Sequence, residues 1–122
     1  MINLLRMITD FGNMIVEAET IAKILDDAAS IDEGRERLQQ FLNKLKPLLR
    51  SYGEAFPIQG HAAEVLQDGI TGSLAAIARA QASEDWKLVS HTLTISLMSW
   101  LRICRLILEK KQEEQTAGAA TP

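Results

Sequence analysis

The sequence predicts an all-α protein, an antiparallel up-down-up-down four-helix bundle, on three observations. Apolar residues recur at alternating steps of four and three over two long stretches, the spacing of helices that pack side by side. Seven Gly and three Pro in 122 residues, with 5% aromatics, leave few turn signals and little of the material of an all-β fold. No strand-like alternation of useful length breaks the pattern. The length suits one domain, and the 47% apolar and 24% charged fractions exclude a wholly disordered chain.

The first helix is predicted over residues 2–29. Its seam is Leu4, Ile8, Phe11, Ile15, Ala18, Ala22, Leu25 and Ala29, widened by a ridge of Met7, Met14, Ile21 and Ala28. Arg6, Asp10, Asn13, Glu17, Lys23 and Asp27 fall on the opposite face. Ser30-Ile31-Asp32-Glu33 then reads as a capping box, the serine oxygen accepting from the Glu33 N–H, with Asp32 a competing N-cap. The second helix, about 31–55, repeats the spacing with Leu38, Leu42, Leu45, Leu49, Tyr52 and Phe56, flanked by Phe41, Leu48 and Ala55. Pro47 cannot donate to the Asn43 carbonyl, but the apolar phase runs on across it, which predicts one kinked helix rather than two.

Phe56-Pro57-Ile58-Gln59-Gly60 is the main loop. The third helix, about 61–82, carries a line of large residues (Val65, Leu66, Ile70, Leu74, Ile77) and a line of small ones (Ala62, Gly69, Ser73, Ala76, Ala80). Gly69 and Gly72 each cost about 1 kcal/mol relative to Ala inside a helix. Close approach of a neighbouring backbone is the expected compensation. Ser83 is expected to cap a fourth helix over about 84–114, with Glu84 and Asp85 in its first turn. At about 100° per residue, its core face gathers Trp86, Val89, Leu93, Leu97, Trp100, Leu101, Ile103, Cys104, Ile107 and Leu108. The bundle domain is thus 1–114, and residues 115–122, which lack periodicity, are expected to form a flexible tail.

Charge and composition bound the function. Thirteen Lys and Arg against sixteen Asp and Glu give a net charge of −3, with both signs spread along the chain, so no nucleic-acid partner is expected. The most apolar run, Thr92 to Leu108, contains Arg102 and Arg105 and is too short to span a bilayer. The first residues lack a secretory cleavage site, and the one cysteine, Cys104, cannot form a disulfide within the chain, so the cytoplasm is the expected compartment. No Glu-x-x-His pair, Cys-x-x-Cys, Walker or dinucleotide glycine pattern occurs. No metal or cofactor is expected. Trp86, Trp100 and Tyr52 read as core rather than as a small-molecule pocket.

The segment from Gln81 to Ile95 resembles the phosphate-accepting segment of histidine-phosphotransfer domains, which are also helical bundles. The resemblance implies His91 as the phosphoacceptor, on the polar face. The family's following lysine and glycine are Thr94 and Ile95 here, and further helices follow the histidine helix in that family. Residues 62–108 resemble small bacterial four-helix-bundle proteins, among them flagellin-export chaperones and uncharacterised families of Gram-positive bacteria. The shared form is a helix of mixed small and large residues, a turn ending in Glu84-Asp85-Trp86, and a helix with a later tryptophan, Trp100. In the uncharacterised families the last helix is more acidic, where this chain has His91, Ile95 and Ser96, and the chaperones' amino-terminal segment has no counterpart here. The resemblance implies architecture more than activity.

Excess apolar residues supply the functional expectation. Leu88, Ile95, Met98 and Leu106 fall outside the core arc of the fourth helix, and Ile2, Leu5, Val16 and Ile24 outside that of the first. The reading is a non-enzymatic bundle that binds protein, either another chain or a second copy of itself, in a chaperone- or adaptor-like role. Ile95, Met98 and Leu106, with Leu88 beside them and Arg102 at the centre, are the predicted interaction residues. Phosphotransfer through His91 is the alternative.

Overall fold

The computed structural model describes residues 3–55 and 60–120, and among these it is a four-helix bundle with no strand. Helix α1 spans Leu4–Leu25, α2 Ile31–Ala55 and α3 His61–Ala82. The fourth helix is α4 (Trp86–His91), a π-helical turn (Thr92–Leu97) and α5 (Met98–Ala120) in direct succession. Ile2, expected outside the core arc of the first helix, the predicted seam position Phe56, and the loop residues Pro57 to Gln59 lie outside the described residues.

Helix α1 is the centre of the packing. It lies between α2 on one side and the fourth helix on the other, and α3 packs along the fourth helix. Of its twelve predicted seam and ridge residues, ten are buried or half-buried, and only Ala28 and Ala29 are exposed. Those two lie beyond the helix, which ends at Leu25 with Asp26 as its cap. Asp27 accepts from the Ala29 N–H at 3.1 Å and from the Ser30 hydroxyl at 3.1 Å, folding the chain into a 3-10 turn over Ala28–Ser30. The Ser30 hydroxyl thus donates to Asp27, and the expected capping-box bond from the Glu33 N–H to Ser30 is not found among the described residues.

Helix α2 runs as one helix through Pro47. It sends Leu38, Phe41, Leu45 and Tyr52 into the core, where the Tyr52 and Phe11 rings meet edge to face with centroids 5.6 Å apart. Arg37 pairs with Glu17 of α1 at 3.3 Å. Although consecutive, α2 and α3 are not a closely packed pair. The small residues Gly69 and Ser73 of α3 face the fourth helix. A Cβ on Gly69 would collide with the Trp100 indole, so the glycine is what lets that ring lie against the α3 backbone. One step along, the Ser73 and Ser96 hydroxyls hydrogen-bond to each other.

The turn between α3 and α4 is also built differently from its expectation. Ser83 ends α3, its N–H donating to the Arg79 carbonyl at 3.1 Å. Glu84 adopts a left-handed conformation, φ 54°, and Asp85 is the cap, accepting from the Leu88 N–H at 3.1 Å. At the other end, α5 continues to Ala120, past the predicted end at 114 and into the predicted tail. The run from Glu109 to Gln115, all Glu, Lys and Gln, is made of good helix formers and carries the helix on without an apolar stripe. A Lys111–Glu114 pair at 3.8 Å and a Thr116 hydroxyl bonded to the Gln112 carbonyl at 2.9 Å accompany it.

Candidate functional site

The fourth helix carries every predicted site residue, and its π turn decides where they face. Val89, Leu93, Leu97 and Leu101 are fully buried at successive steps of four. An α-helix has about 3.6 residues per turn, so each such step overshoots by about 40° and three steps by about 120°. The wider i→i+5 turn over Thr92–Leu97 absorbs this drift and holds all four on the core line. Past the turn the apolar face is rotated relative to a uniform 100° projection. Met98 swings inward and is 3% exposed, while Ile103 swings out to 40%. Met98 is therefore a core residue and drops out of the interaction set, and Ile103 leaves the predicted core face.

The other predicted residues are on the surface. Leu88 is 46% exposed, and Ile95 and Leu106 are 62% exposed. Arg102 is exposed and has no ion-pair partner among the described residues. His91 is exposed too, at the last position of α4. On α1, Leu5 and Val16 are exposed as expected and Ile24 is half-buried. Among the described residues, six of the seven exposed large apolar ones, all but Val65, thus belong to α1 and the fourth helix, one closely packed pair.

That pair is locked from both sides. The buried Ser90 hydroxyl donates to the Ala22 carbonyl at 3.0 Å. Near the other end, the Arg105 guanidinium lies over Gly12, close enough that a Cβ there would sit 3.5 Å from it. Arg105 also bonds Glu109 through Nε at 3.0 Å. The Ser90–Ala22 and Arg105–Gly12 contacts fix the two helices as antiparallel, with low numbers of α1 beside high numbers of α5.

The predicted aromatic trio does not converge on one cavity. Trp86 lines an open cleft of about 420 Å³ where Arg35 stacks over its ring, 5.4 Å from the centroid, beside Asp32, Glu36 and Glu84. Trp100 lies against α3, and Tyr52 is in the core against Cys104. Burial pushes the Cys104 thiol up to about 11, partly opposed by its hydrogen bond with Tyr52, and burial also raises the Tyr52 hydroxyl. Both groups are neutral and enclosed, a poor setting for a nucleophile, which needs thiolate and access. A second open cleft, about 920 Å³, runs between α1 and α2 past Arg6, Asp10, Lys44 and Pro47. Among the described residues, no group of three His, Cys, Asp or Glu side chains could hold a metal ion, and no helix is long and apolar enough to cross a membrane.

Comparison with protein families, with curated proteins and with solved structures returned no match to this chain.

Proposed function

We propose that this chain is a non-enzymatic helical bundle that acts by binding protein, through the outer side of its fourth helix. The observation that carries the reading is the exposure of Ile95 and Leu106, 62% each, with Leu88 on the same helix and an unpaired Arg102 between them. Concentrated exposed apolar residues mark interaction sites, and scattered ones do not. In such a site the apolar side chains supply burial and the arginine fixes orientation. The partner is another protein or a second copy of the chain, in an adaptor- or chaperone-like role, and the free buried Cys104 fits a cytoplasmic setting.

The test is capture from native cells, with sedimentation to report self-association. Ile95→Glu is expected to lose the captured protein or the self-association while keeping the helical circular dichroism of the parent. Equal capture by Ile95→Glu and parent would overturn the reading.

The exposure of His91 favours one second reading, a phosphotransfer module using that imidazole. Incubation with a phosphorylated response regulator tests it. Acid-labile label on the parent that is absent from His91→Gln would support it, and no label, or equal label on both, would remove it.

A further inference from the structure

The surface residues on α1 and the fourth helix form two matching stripes. On α1 they are Leu5, Thr9, Gly12 and Val16, and on the fourth helix Ile95, Ser99, Arg102 and Leu106. Both are spaced four, three, four, so each stays on one side of its helix. The arginine laid over Gly12 puts the stripes side by side. Since the helices are antiparallel, the four apolar residues become the corners of a frame. Thr9, Gly12 and Ser99 lie in its middle, with the Arg105 guanidinium over Gly12 and Arg102 exposed beside it.

The hydroxyls on this side are already satisfied. Thr9 Oγ1 donates to the Leu5 carbonyl at 3.0 Å, Thr20 Oγ1 to the Val16 carbonyl at 3.0 Å, and Ser99 Oγ to the Ile95 carbonyl at 2.8 Å. Each bond joins a surface hydroxyl to the backbone of one of the frame's apolar corners. Drying this surface would therefore leave none of these donors unpaired, which removes the main penalty on burying polar groups.

Charge selects the occupant. Of the acids bordering the frame, Glu19 is engaged by Lys23 at 3.5 Å and Glu109 by Arg105 at 3.0 Å, while Glu113, seven residues past Leu106, is exposed with no ion pair among the described residues. Lys87, Arg102 and Lys110 are exposed along the fourth helix, and none has an ion-pair partner among the described residues. A second copy packed about a two-fold axis would bring its own Arg102 to the same region, like charge against like. We infer that the frame docks an acidic amphipathic helix of another protein, its apolar stripe against Leu5, Val16, Ile95 and Leu106 and a carboxylate on Arg102. This rests on the protein-binding reading above and names the partner's chemistry.

The probes are two synthetic helical peptides of about 20 residues with the same leucine–alanine stripe, flanked by Glu in one and by Lys in the other. Each is titrated, fluorescently labelled, against the full chain, and the chain alone is sedimented. The Glu peptide is expected to bind at least about tenfold more tightly than the Lys peptide. Arg102→Glu should erase or reverse that preference. Ile95→Glu should abolish binding, while Val65→Glu, which alters an exposed apolar residue on α3, should leave it within about twofold. Equal binding of the two peptides, or equal damage from Ile95→Glu and Val65→Glu, would overturn the inference. A wild-type dimer dissociated by Ile95→Glu would overturn it too, leaving the protein-binding reading intact with a second copy as occupant. A monomer that binds neither peptide would overturn the inference, and the protein-binding reading with it if Ile95→Glu also leaves capture from cells unchanged.

Discussion

The two sides of α1 and α3 show two ways of building a helix–helix contact. Between α1 and α2, large side chains at heptad spacing interlock, as where Phe11 meets the Tyr52 ring edge. Between α3 and the fourth helix, the contact is made of small residues. Gly69 admits Trp100, Ser73 meets Ser96, and a π turn corrects the phase of the partner helix. The first contact is set by side-chain volume and the second by backbone approach. They should therefore fail under opposite substitutions, the first when side chains shrink and the second when they grow.

The largest expected effect is on helix phase. Deleting Ile95 from the π turn should turn it into ordinary α-helix and keep Val89 and Leu93 in line with Leu97, Leu101, Cys104 and Leu108. That variant is expected to melt cooperatively, within about 1 kcal/mol of the parent. Deleting Arg102, also exposed but within regular α-helix, rotates everything beyond it by about 100° and should abolish cooperative unfolding. Equal damage from both deletions, read by urea denaturation, would show that the π turn does not set the phase.

Next come the contacts themselves. Phe11→Ala should lose about 3–5 kcal/mol, because it removes a fully buried ring and leaves a cavity. Gly69→Ala should lose about 1–3 kcal/mol by overpacking against Trp100, and Trp100→Leu should recover part of that loss in the double variant. If Gly69→Ala is instead stabilising, as helix propensity alone would have it, then the backbone approach does not hold the α3 contact.

The smallest effect concerns pH. The Cys104 thiol holds its proton more tightly folded than unfolded, since burial raises it from 9.0 to about 11. The folded state then binds more protons over that interval, so stability is complete below about 9 and falls as pH rises toward about 11. Two units correspond to a ceiling of about 2–3 kcal/mol. Cys104→Ala should flatten the decline over that window, and the native thiol should resist Ellman's reagent until the chain unfolds.

The sequence made the two contacts unequally legible. Steps of four and three from Leu4 to Leu25 and from Leu38 to Tyr52 identify buried stripes because large apolar side chains have few other places to go. The close approach of α3 was foreseeable from Gly69 and Ser73, although not that Trp100 would be what approached. The π turn was written in the sequence as well. Three steps of four from Val89 through Leu93 and Leu97 to Leu101 do not fit a helix of about 3.6 residues per turn. A uniform projection hid this by counting every apolar residue within a broad arc as core, and it misplaced Met98 and Ile103 for that reason. Helix ends were legible only where one cap had no rival. Ser83 lost its place as cap to Asp85, Asp27 draws the Ser30 hydroxyl into the preceding turn, and the carboxy-terminal helix needs propensity rather than apolar period. Of the surface frame, Ile95, Arg102 and Leu106 could be read from one helix, and Leu5 and Val16 were visible as excess on another. Their union required knowing that α1 and the fourth helix are neighbours.

The most direct test of the docking surface places a photo-crosslinking amino acid at Ile95 or at Val65 of the full chain in its native cells. Both are exposed apolar positions, one inside the frame and one on α3. A discrete adduct heavier than the chain from position 95, with none from position 65, is the predicted result. No adduct from position 95, or the same adducts from both, would contradict the account.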